Sequence, residues 1–288
     1  MKTRYIITLF AAVVFLASCD EKQEPSGGEV SDNVVIPELP DDPQPENTSF
    51  AHRIMLLQHT GTYCPNCPRL MSSLKELSED DDYAVKYHHV AAHSYNEDGD
   101  SAYSIAAANL SQAFCSGYYP ELTFNLTKES TGTSLSVDTI KEHIDVLYKD
   151  KADVGIAAAV QQTGNALGVN VQIKSAKENQ YRIAVWLLED GIKCRQDGAS
   201  EEWMNTHGNA IRVMAGSTIN LRIYGEKVGL VKVGETVEKS FAITLDQEWN
   251  ADNCKVLVVV NAAGSDGRFD LANCAICPIG EEISYRYN

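Results

Sequence analysis

The stretch Cys64-Pro-Asn-Cys67-Pro68, directly after the apolar run Ile54-Met-Leu-Leu57, decides the fold of this chain of 288 residues. Two cysteines separated by two residues, between a predicted strand and a predicted helix, place a thiol at a helix N-terminus. Unpaired N–H groups and the helix dipole stabilise a thiolate there. We expect Pro65 at the first helical position, where its missing N–H costs nothing. Pro68 comes one turn later and is expected to leave the Cys64 carbonyl free.

The residues around this motif alternate between strand and helix patterns. The predicted strands are Arg53–Gln58, Ala84–Ala91 and Leu122–Leu126, and the predicted helices are Arg69–Glu79, Ala102–Phe114 and Val137–Tyr148. Ser136 or Asp138 is the expected N-terminal cap of the last helix. This alternation predicts an α/β domain over residues 49–151 with at least one parallel crossover.

The second half of the chain has a different pattern, with short apolar or alternating segments and no predicted helix. The predicted strands are Val154–Val160, Leu167–Ile173, Tyr181–Leu188, Ser217–Ile223, Thr236–Leu245, Lys255–Asn261 and Ile283–Tyr287. Short strands separated by turn residues predict an all-β domain over residues 152–288, an antiparallel sandwich with immunoglobulin-like architecture.

A proline precedes the third predicted strand, in Gly117-Tyr-Tyr-Pro120-Glu-Leu-Thr-Phe124. Together with the order strand, CxxC and helix, it resembles thioredoxin-like proteins, in which a cis-proline at the start of the third strand faces the CxxC. The resemblance implies a thioredoxin-like N-terminal domain, a cis bond before Pro120 and a role for Pro120 in binding a partner. The alternative is a trans-proline in a turn.

The same resemblance implies thiol–disulfide exchange, with Cys64 as the nucleophile and Cys67 as the resolving thiol. Three positions depart from thioredoxin. Gln58 replaces a buried acid, Tyr63 replaces a tryptophan, and Tyr119 is bulky for the residue before the proline. These departures leave a second interpretation open, in which the protein is a non-catalytic surface binding or adhesion module and the CxxC is a structural disulfide.

The remaining cysteines of the second half predict structural disulfides. The second CxxC, Cys274-Ala-Ile-Cys277, is followed by a turn and strand pattern, and nothing there lowers a thiol pKa. A hairpin centred on Gly264 would place Cys254 opposite Cys274 at a spacing that suits a bridge. This pairing would leave Cys194 for Cys277.

The remaining cysteine and the histidines of the first half are not assigned a catalytic role from the sequence. Cys115, close to Pro120 in the sequence, is either a third thiol of the redox site or a buried inert cysteine. Histidines on or beside the predicted strands are expected to make local hydrogen bonds. These are His59, His88, His89 and His93. No metal site and no cofactor are predicted.

The N-terminus resembles a bacterial lipoprotein signal. Lys2 and Arg4 precede an apolar run over residues 5–16, and Leu16-Ala-Ser-Cys19 resembles a lipobox. The resemblance implies a signal peptide over residues 1–18, cleavage before Cys19, and palmitate and other acyl chains on Cys19 as a membrane anchor. Residues 19–48 are rich in proline and acids, which predicts an extended or disordered tether that could reach roughly 90 Å.

The complete pattern resembles the Omp28-related family of outer-membrane lipoproteins. The similarity lies in the lipobox, the acidic tether, the motif from Gly61 to Pro68, and Leu187-Leu-Glu-Asp-Gly-Ile192 with His207–Arg212. It implies a lipid-anchored protein in the envelope of a Gram-negative bacterium, facing the periplasm or the cell surface. The implied partners are the membrane, through Cys19, and protein thiols, protein disulfides or surface ligands. A net charge of −16 argues against a nucleic-acid partner.

Overall fold

A computed structural model describes residues 34–216 and 219–288 of the chain. The predicted signal peptide, Cys19 and residues 19–33 of the predicted tether lie outside the described residues. Within the described ranges, no helix combines the length and the apolar composition needed to cross a membrane.

The first half alternates strands and helices in the predicted order, except that a short helix not predicted from the sequence, Asp81–Ala84, precedes the second strand. Its strands are β1 (Ile54–Thr60), β2 (Tyr87–His93) and β3 (Glu121–Phe124), and its helices are α1 (Cys67–Ser78), α2 (Asp81–Ala84), α3 (Ile105–Phe114) and α4 (Val137–Leu147). The Ser136 hydroxyl accepts a hydrogen bond from the Thr139 N–H at the start of α4. Ser136 is therefore the N-terminal cap, one of the two predicted residues.

The second half consists mainly of strands. They are β4 (Val154–Thr163), β5 (Ala166–Ser175), β6 (Asn179–Glu189), β7 (Ile192–Lys193), β8 (Thr206–His207), β9 (Ala210–Met214), β10 (Glu226–Val231), β11 (Thr236–Thr244), β12 (Cys254–Ala263), β13 (Phe269–Pro278) and β14 (Glu282–Ile283). Two 3₁₀ turns occur at Glu202–Asn205 and Ala251–Asn253.

Two predicted strands of this half differ from the structure. Strand β14 ends at Ile283, the first residue of the strand expected over Ile283–Tyr287. Helix α5 (Ile219–Tyr224) replaces the strand expected over Ser217–Ile223. A short apolar run fits a strand and a buried helix equally well, and tertiary packing decides between them. Here Ile223 is buried in the core, and the indole N–H of Trp186 on β6 donates to the Arg222 carbonyl at 2.8 Å.

The two halves share one large sheet. Its strand order is β13-β12-β6-β9-β2-β1-β3, and β10 also pairs with β6. The junction is the parallel pair Ala91 and Ala210, which joins β2 to β9. A smaller sheet has the order β11-β5-β4-β14. The fold is thus mixed α/β with extensive sheet, and the predicted division into separate thioredoxin-like and immunoglobulin-like domains is not confirmed.

Three apolar cores lie against the large sheet. One face of the sheet carries α3 and α5, where Leu57 of β1 and Trp186 of β6 belong to the same cluster. On the opposite face, α1 and α4 pack over β1, β2 and β3 through Leu56 and Phe124. The smaller sheet packs over the second-half strands through residues such as Val185 of β6. The first-half strands are therefore covered by α3 on one face and by α1 and α4 on the other.

Residues 34–48, the end of the predicted tether, pack against the smaller sheet. Asn170 donates a hydrogen bond to the Pro37 carbonyl at 3.1 Å. Lys174 is 2% exposed and pairs with Asp42 at 2.9 Å. These residues are packed rather than disordered, because a buried lysine provides a partner for their carboxylate and carbonyl oxygens. Apart from a bend and a turn they form no regular secondary structure, so the extended alternative of the prediction is not contradicted.

Candidate functional site

A disulfide joins Cys64 and Cys67 in the connection from β1 to α1. The two Cα atoms lie 5.4 Å apart, and the residues are 2% and 0% exposed. Helix α1 begins at Cys67, with Asn66 as the preceding cap residue. The Cys67 N–H donates to the Cys64 carbonyl at 3.2 Å and closes a turn before the helix. The pair thus lies at a helix N-terminus, as predicted, but shielded from solvent.

The two prolines of the motif occupy other positions than expected. Pro65 lies in the turn before α1, and Pro68 is the second residue of the helix. Because the first N–H groups of a helix have no partner within it, Pro68 removes no helical hydrogen bond. The expectation of a free Cys64 carbonyl is also wrong, since this oxygen accepts a hydrogen bond from Nε2 of Gln196 at 3.0 Å.

Gln196 belongs to a segment of the second half, residues 194–199, that packs on the CxxC loop and that we call the strap. Its Nε2 atom lies within hydrogen-bond distance of four backbone carbonyl oxygens. They belong to Gly61 (3.3 Å), Thr62 (3.1 Å), Cys64 (3.0 Å) and Asp197 (3.1 Å). Gln196 is 2% exposed, so its amide closes off the loop backbone from solvent.

Two further contacts hold the strap. The Asp197 N–H donates to the Thr62 carbonyl at 2.7 Å. Gly198 has φ +75° and lies so close to Pro65 that a Cβ would collide with the Pro65 carbonyl oxygen. These residues are not among the predicted site residues, since no local pattern links Gln196 to Cys64 across 132 residues.

Pro120 lies beside the CxxC loop. Its peptide bond to Tyr119 is cis, which is the geometry predicted from the sequence. Strand β3 runs antiparallel to β1 and pairs Glu121 with His59, so Pro120 adjoins the end of β1 that leads into the motif. The structure thus brings Cys64, Cys67 and Pro120 to one end of the sheet, whereas the role of Pro120 in binding a partner stays a prediction.

Exposed tyrosines surround this end of the sheet. Tyr63, Tyr95 and Tyr118 are 43%, 48% and 78% exposed. The rings of Tyr95 and Tyr119 meet edge to face, with centroids 5.3 Å apart. Gly61 lies directly against Tyr95, where a Cβ would collide with the Tyr95 side chain. The CxxC loop is therefore bordered by aromatic surface on the Pro120 side.

Residues 116–276, more than half of the chain, match the family model of outer membrane protein Omp28. The chain belongs to the Omp28 family. The family's description indicates an outer-membrane or envelope location. No curated protein matches the chain.

Two solved structures show the same fold at low sequence identity. HBP35 of Porphyromonas gingivalis matches with a TM-score of 0.66 and 14% identity over 82% of this chain and 77% of its own. Protein AGR_C_4864 from Agrobacterium tumefaciens matches with a TM-score of 0.51 and 14% identity over 83% of this chain and 99% of its own. At such identities the likeness concerns the fold alone.

In this Omp28 family member, a buried carboxylate lies directly behind the CxxC loop. Asp100 accepts hydrogen bonds from the Thr62 N–H (2.9 Å), the Ala102 N–H (2.9 Å) and Nδ1 of His93 (3.0 Å). Burial alone would raise the pKa of Asp100, but these hydrogen bonds and the nearby His93 outweigh it and lower the pKa to about 2. Asp100 is thus a stable anion that anchors the loop backbone.

Gln58 on β1 and His89 on β2 form a neutral hydrogen-bonded pair. Gln58 Oε1 accepts from Nε2 of His89 at 3.0 Å, and burial lowers the pKa of His89 to about 4. Burial also lowers the pKa of His59 to about 4, and its ring contacts the hydroxyls of Ser111 and Thr123. Over residues 34–216 and 219–288, no three His, Cys, Asp or Glu side chains are arranged to hold a metal ion.

Cys115 is an unbonded thiol near Pro120. Its Sγ lies 3.6 Å from the Tyr118 carbonyl oxygen, and burial raises the pKa of the thiol to about 11. Because the thiolate is the reactive form, this environment favours the inert interpretation of Cys115.

The predicted bridges Cys254–Cys274 and Cys194–Cys277 are wrong, because all four cysteines are unbonded. The hairpin turn lies further along the chain than Gly264, so β12 and β13 pair Val259 with Cys274. Burial raises the pKa of the thiols of Cys254, Cys274 and Cys277 to about 12. These three cysteines pack as small apolar side chains in the core and form no structural disulfides.

Proposed function

We propose that this Omp28 family member is a lipid-anchored envelope protein that exchanges disulfides with extracytoplasmic proteins through Cys64 and Cys67. The observation that carries the proposal is a disulfide at a helix N-terminus, at the same end of the sheet as a cis-proline that directly precedes the neighbouring strand β3. In this proposal the N-terminal part is a thioredoxin-like unit, and the β-rich second half is a sandwich fused to it.

The exchange has two steps. In the reduced protein, the Cys64 thiolate attacks one sulfur of a partner disulfide, forms a mixed disulfide and releases one partner thiolate. The Cys67 thiolate then attacks Sγ of Cys64, closes the Cys64–Cys67 bond and releases the second partner thiolate. Two electrons pass to the partner, and the reverse sequence oxidises a partner dithiol.

Pro120 and the surrounding tyrosines would receive the partner. Tyr63, Tyr95 and Tyr118 offer exposed aromatic surface beside the loop, and such side chains are enriched in protein interfaces. Lipidated Cys19 would hold this surface close to the membrane through the tether ahead of residue 34, on the periplasmic or the outer side.

A second candidate is a surface binding or adhesion module in which the Cys64–Cys67 disulfide is a structural staple. The burial of both cysteines favours this candidate, because an attacking thiolate needs access to a sulfur. Gln58 supports it as well, since it supplies no acid for proton transfer.

The reduction potential of the Cys64–Cys67 pair, combined with a trapping experiment, distinguishes the two candidates. For exchange we expect a potential between about −120 and −230 mV, and a partner protein held as a mixed disulfide by Cys67→Ala. A matched Cys115→Ala variant should trap nothing. A potential below about −300 mV with no trapped partner would support the structural staple and contradict exchange.

A further inference from the structure

We propose that the strap, residues 194–199, is a gate over the Cys64–Cys67 disulfide, that the Gln196 amide keeps it closed, and that reduction of the disulfide and opening of the gate favour each other. The proposal deepens the proposed function, on which it rests, by giving the redox site a means of regulation.

The amide of Gln196 has a defined orientation in the closed gate. Four carbonyl oxygens surround Nε2 at 3.0 to 3.3 Å, so exchanging the nitrogen and oxygen of the amide would place Oε1 against four acceptors. Gln196 therefore holds the loop by donating hydrogen bonds. Replacing it with a residue that cannot donate removes the main side-chain contact between strap and loop.

The closed gate also contains uncompensated polar groups. Oε1 of Gln196 and Oγ1 of Thr62 are buried and have no hydrogen-bond partner in the described part of the chain. Each would regain hydrogen bonds to water when the strap moves away. These groups oppose the donor contacts of Gln196 and lower the free-energy cost of opening the strap.

The strap contacts backbone atoms of the CxxC loop, so it responds to the conformation of the loop. The carbonyls of Gly61, Thr62 and Cys64 converge on Gln196 while the disulfide closes the short ring from Cys64 to Cys67. Reduction breaks the bond that fixes this ring and lets the carbonyls separate. The closed strap therefore favours the oxidised form, and by linkage an open strap favours the reduced form.

Reduction of the purified protein by dithiothreitol tests the gate. The reagent gives two electrons, becomes a cyclic disulfide and leaves thiols on Cys64 and Cys67, which quenched alkylation and peptide mapping count over time. Because loss of about two net hydrogen bonds shifts the opening equilibrium roughly tenfold or more, we expect Gln196→Ala to be reduced at least tenfold faster than wild type. Equal rates would overturn the proposal.

Gln162→Ala is the matched control. Gln162 is exposed on β4 in the smaller sheet, and its Nε2 donates to the Gly164 carbonyl at 2.9 Å rather than to the strap or the CxxC loop. Its reduction rate should equal that of wild type. If Gln162→Ala accelerated reduction as much as Gln196→Ala, the effect would be general destabilisation and the gate would be refuted.

Hydrogen exchange in the wild-type protein tests the same linkage without a substitution. The Asp197 N–H, which donates to Thr62, should exchange with solvent hydrogen at least tenfold faster in the reduced protein than in the oxidised protein. Equal protection in both forms would overturn the linkage. Neither the reduction assay nor the hydrogen-exchange measurement uses a protein substrate, so both test the gate independently of the exchange function. If both gave the expected results while Cys67→Ala trapped no partner, the exchange function would be refuted and the gate would not.

Discussion

Replacing Asp100 with asparagine removes the negative charge that anchors the CxxC loop. The carboxylate accepts hydrogen bonds from Thr62, Ala102 and His93, and its side chain is fully buried. Its pKa falls from 3.8 to about 2 in the folded protein. At 1.36 kcal/mol per pKa unit, the charged form stabilises the fold by about 2 kcal/mol.

The sign of this shift sets the pH window. Because the folded pKa lies below the unfolded one, the contribution of Asp100 is complete above pH 5 and is lost as the pH falls towards 2. Asp100→Asn should therefore lower the free energy of unfolding by about 2 kcal/mol at pH 7. About half of this difference from wild type should disappear at pH 3.

Urea unfolding of both proteins at pH 7 and pH 3 measures this difference. Asp98→Asn is the matched control, because Asp98 is exposed in the same connection after β2. It should leave the free energy of unfolding nearly unchanged. An Asp100→Asn effect below about 0.5 kcal/mol at pH 7, or one independent of pH, would refute the assigned role of the carboxylate.

Three other predictions concern the rest of the fold. Glu189→Ala should lower the free energy of unfolding in urea by about 3 to 5 kcal/mol. The substitution removes the carboxylate that lies 2.6 Å from the buried Arg212 guanidinium and leaves this charge without its counter-ion. A change below about 1 kcal/mol would contradict this role of the ion pair. Lys174→Met should release the segment around Asp42 and accelerate proteolysis within residues 34–48, and unchanged cleavage would contradict the packing. A maleimide added to the denatured, unreduced protein should leave the disulfide-bonded Cys64 and Cys67 unlabelled. It should label the unbonded cysteines, which are Cys115, Cys194, Cys254, Cys274 and Cys277. A disulfide found between any two of these five cysteines would contradict their assignment as free thiols.

The sequence predicts the first half of the fold well because its signals are local. The apolar spacing of α1, the Ser136 cap and the alternation of strands and helices all act within a few residues. The start of α1 differs from the prediction because Cys64 to Cys67 form a turn of their own, which moves Pro68 into the first helical turn. Such a shift lies within the usual uncertainty of helix ends.

The strand register and pairing of the second half depend on contacts between residues far apart in the sequence, which no local pattern predicts. A register shift between Val260 and Asn261, together with a later turn, changes which residue faces Cys274. The parallel pair of Ala91 and Ala210 joins the halves into one sheet through strands far apart in the sequence. Gln196 likewise gains its importance only from the folded position of its amide. Long-range pairing therefore decides the features that the sequence leaves open.

Disulfide transfer to a substrate protein tests the central claim most directly. The oxidised protein is mixed with a reduced, unfolded protein whose native disulfides are known, and both are mapped after an acid quench. Exchange predicts that the substrate gains one disulfide for each Cys64–Cys67 bond lost, and that Cys64→Ala abolishes the transfer. If the Cys64–Cys67 bond persists while the substrate keeps its thiols, the account of this site as a redox centre is contradicted.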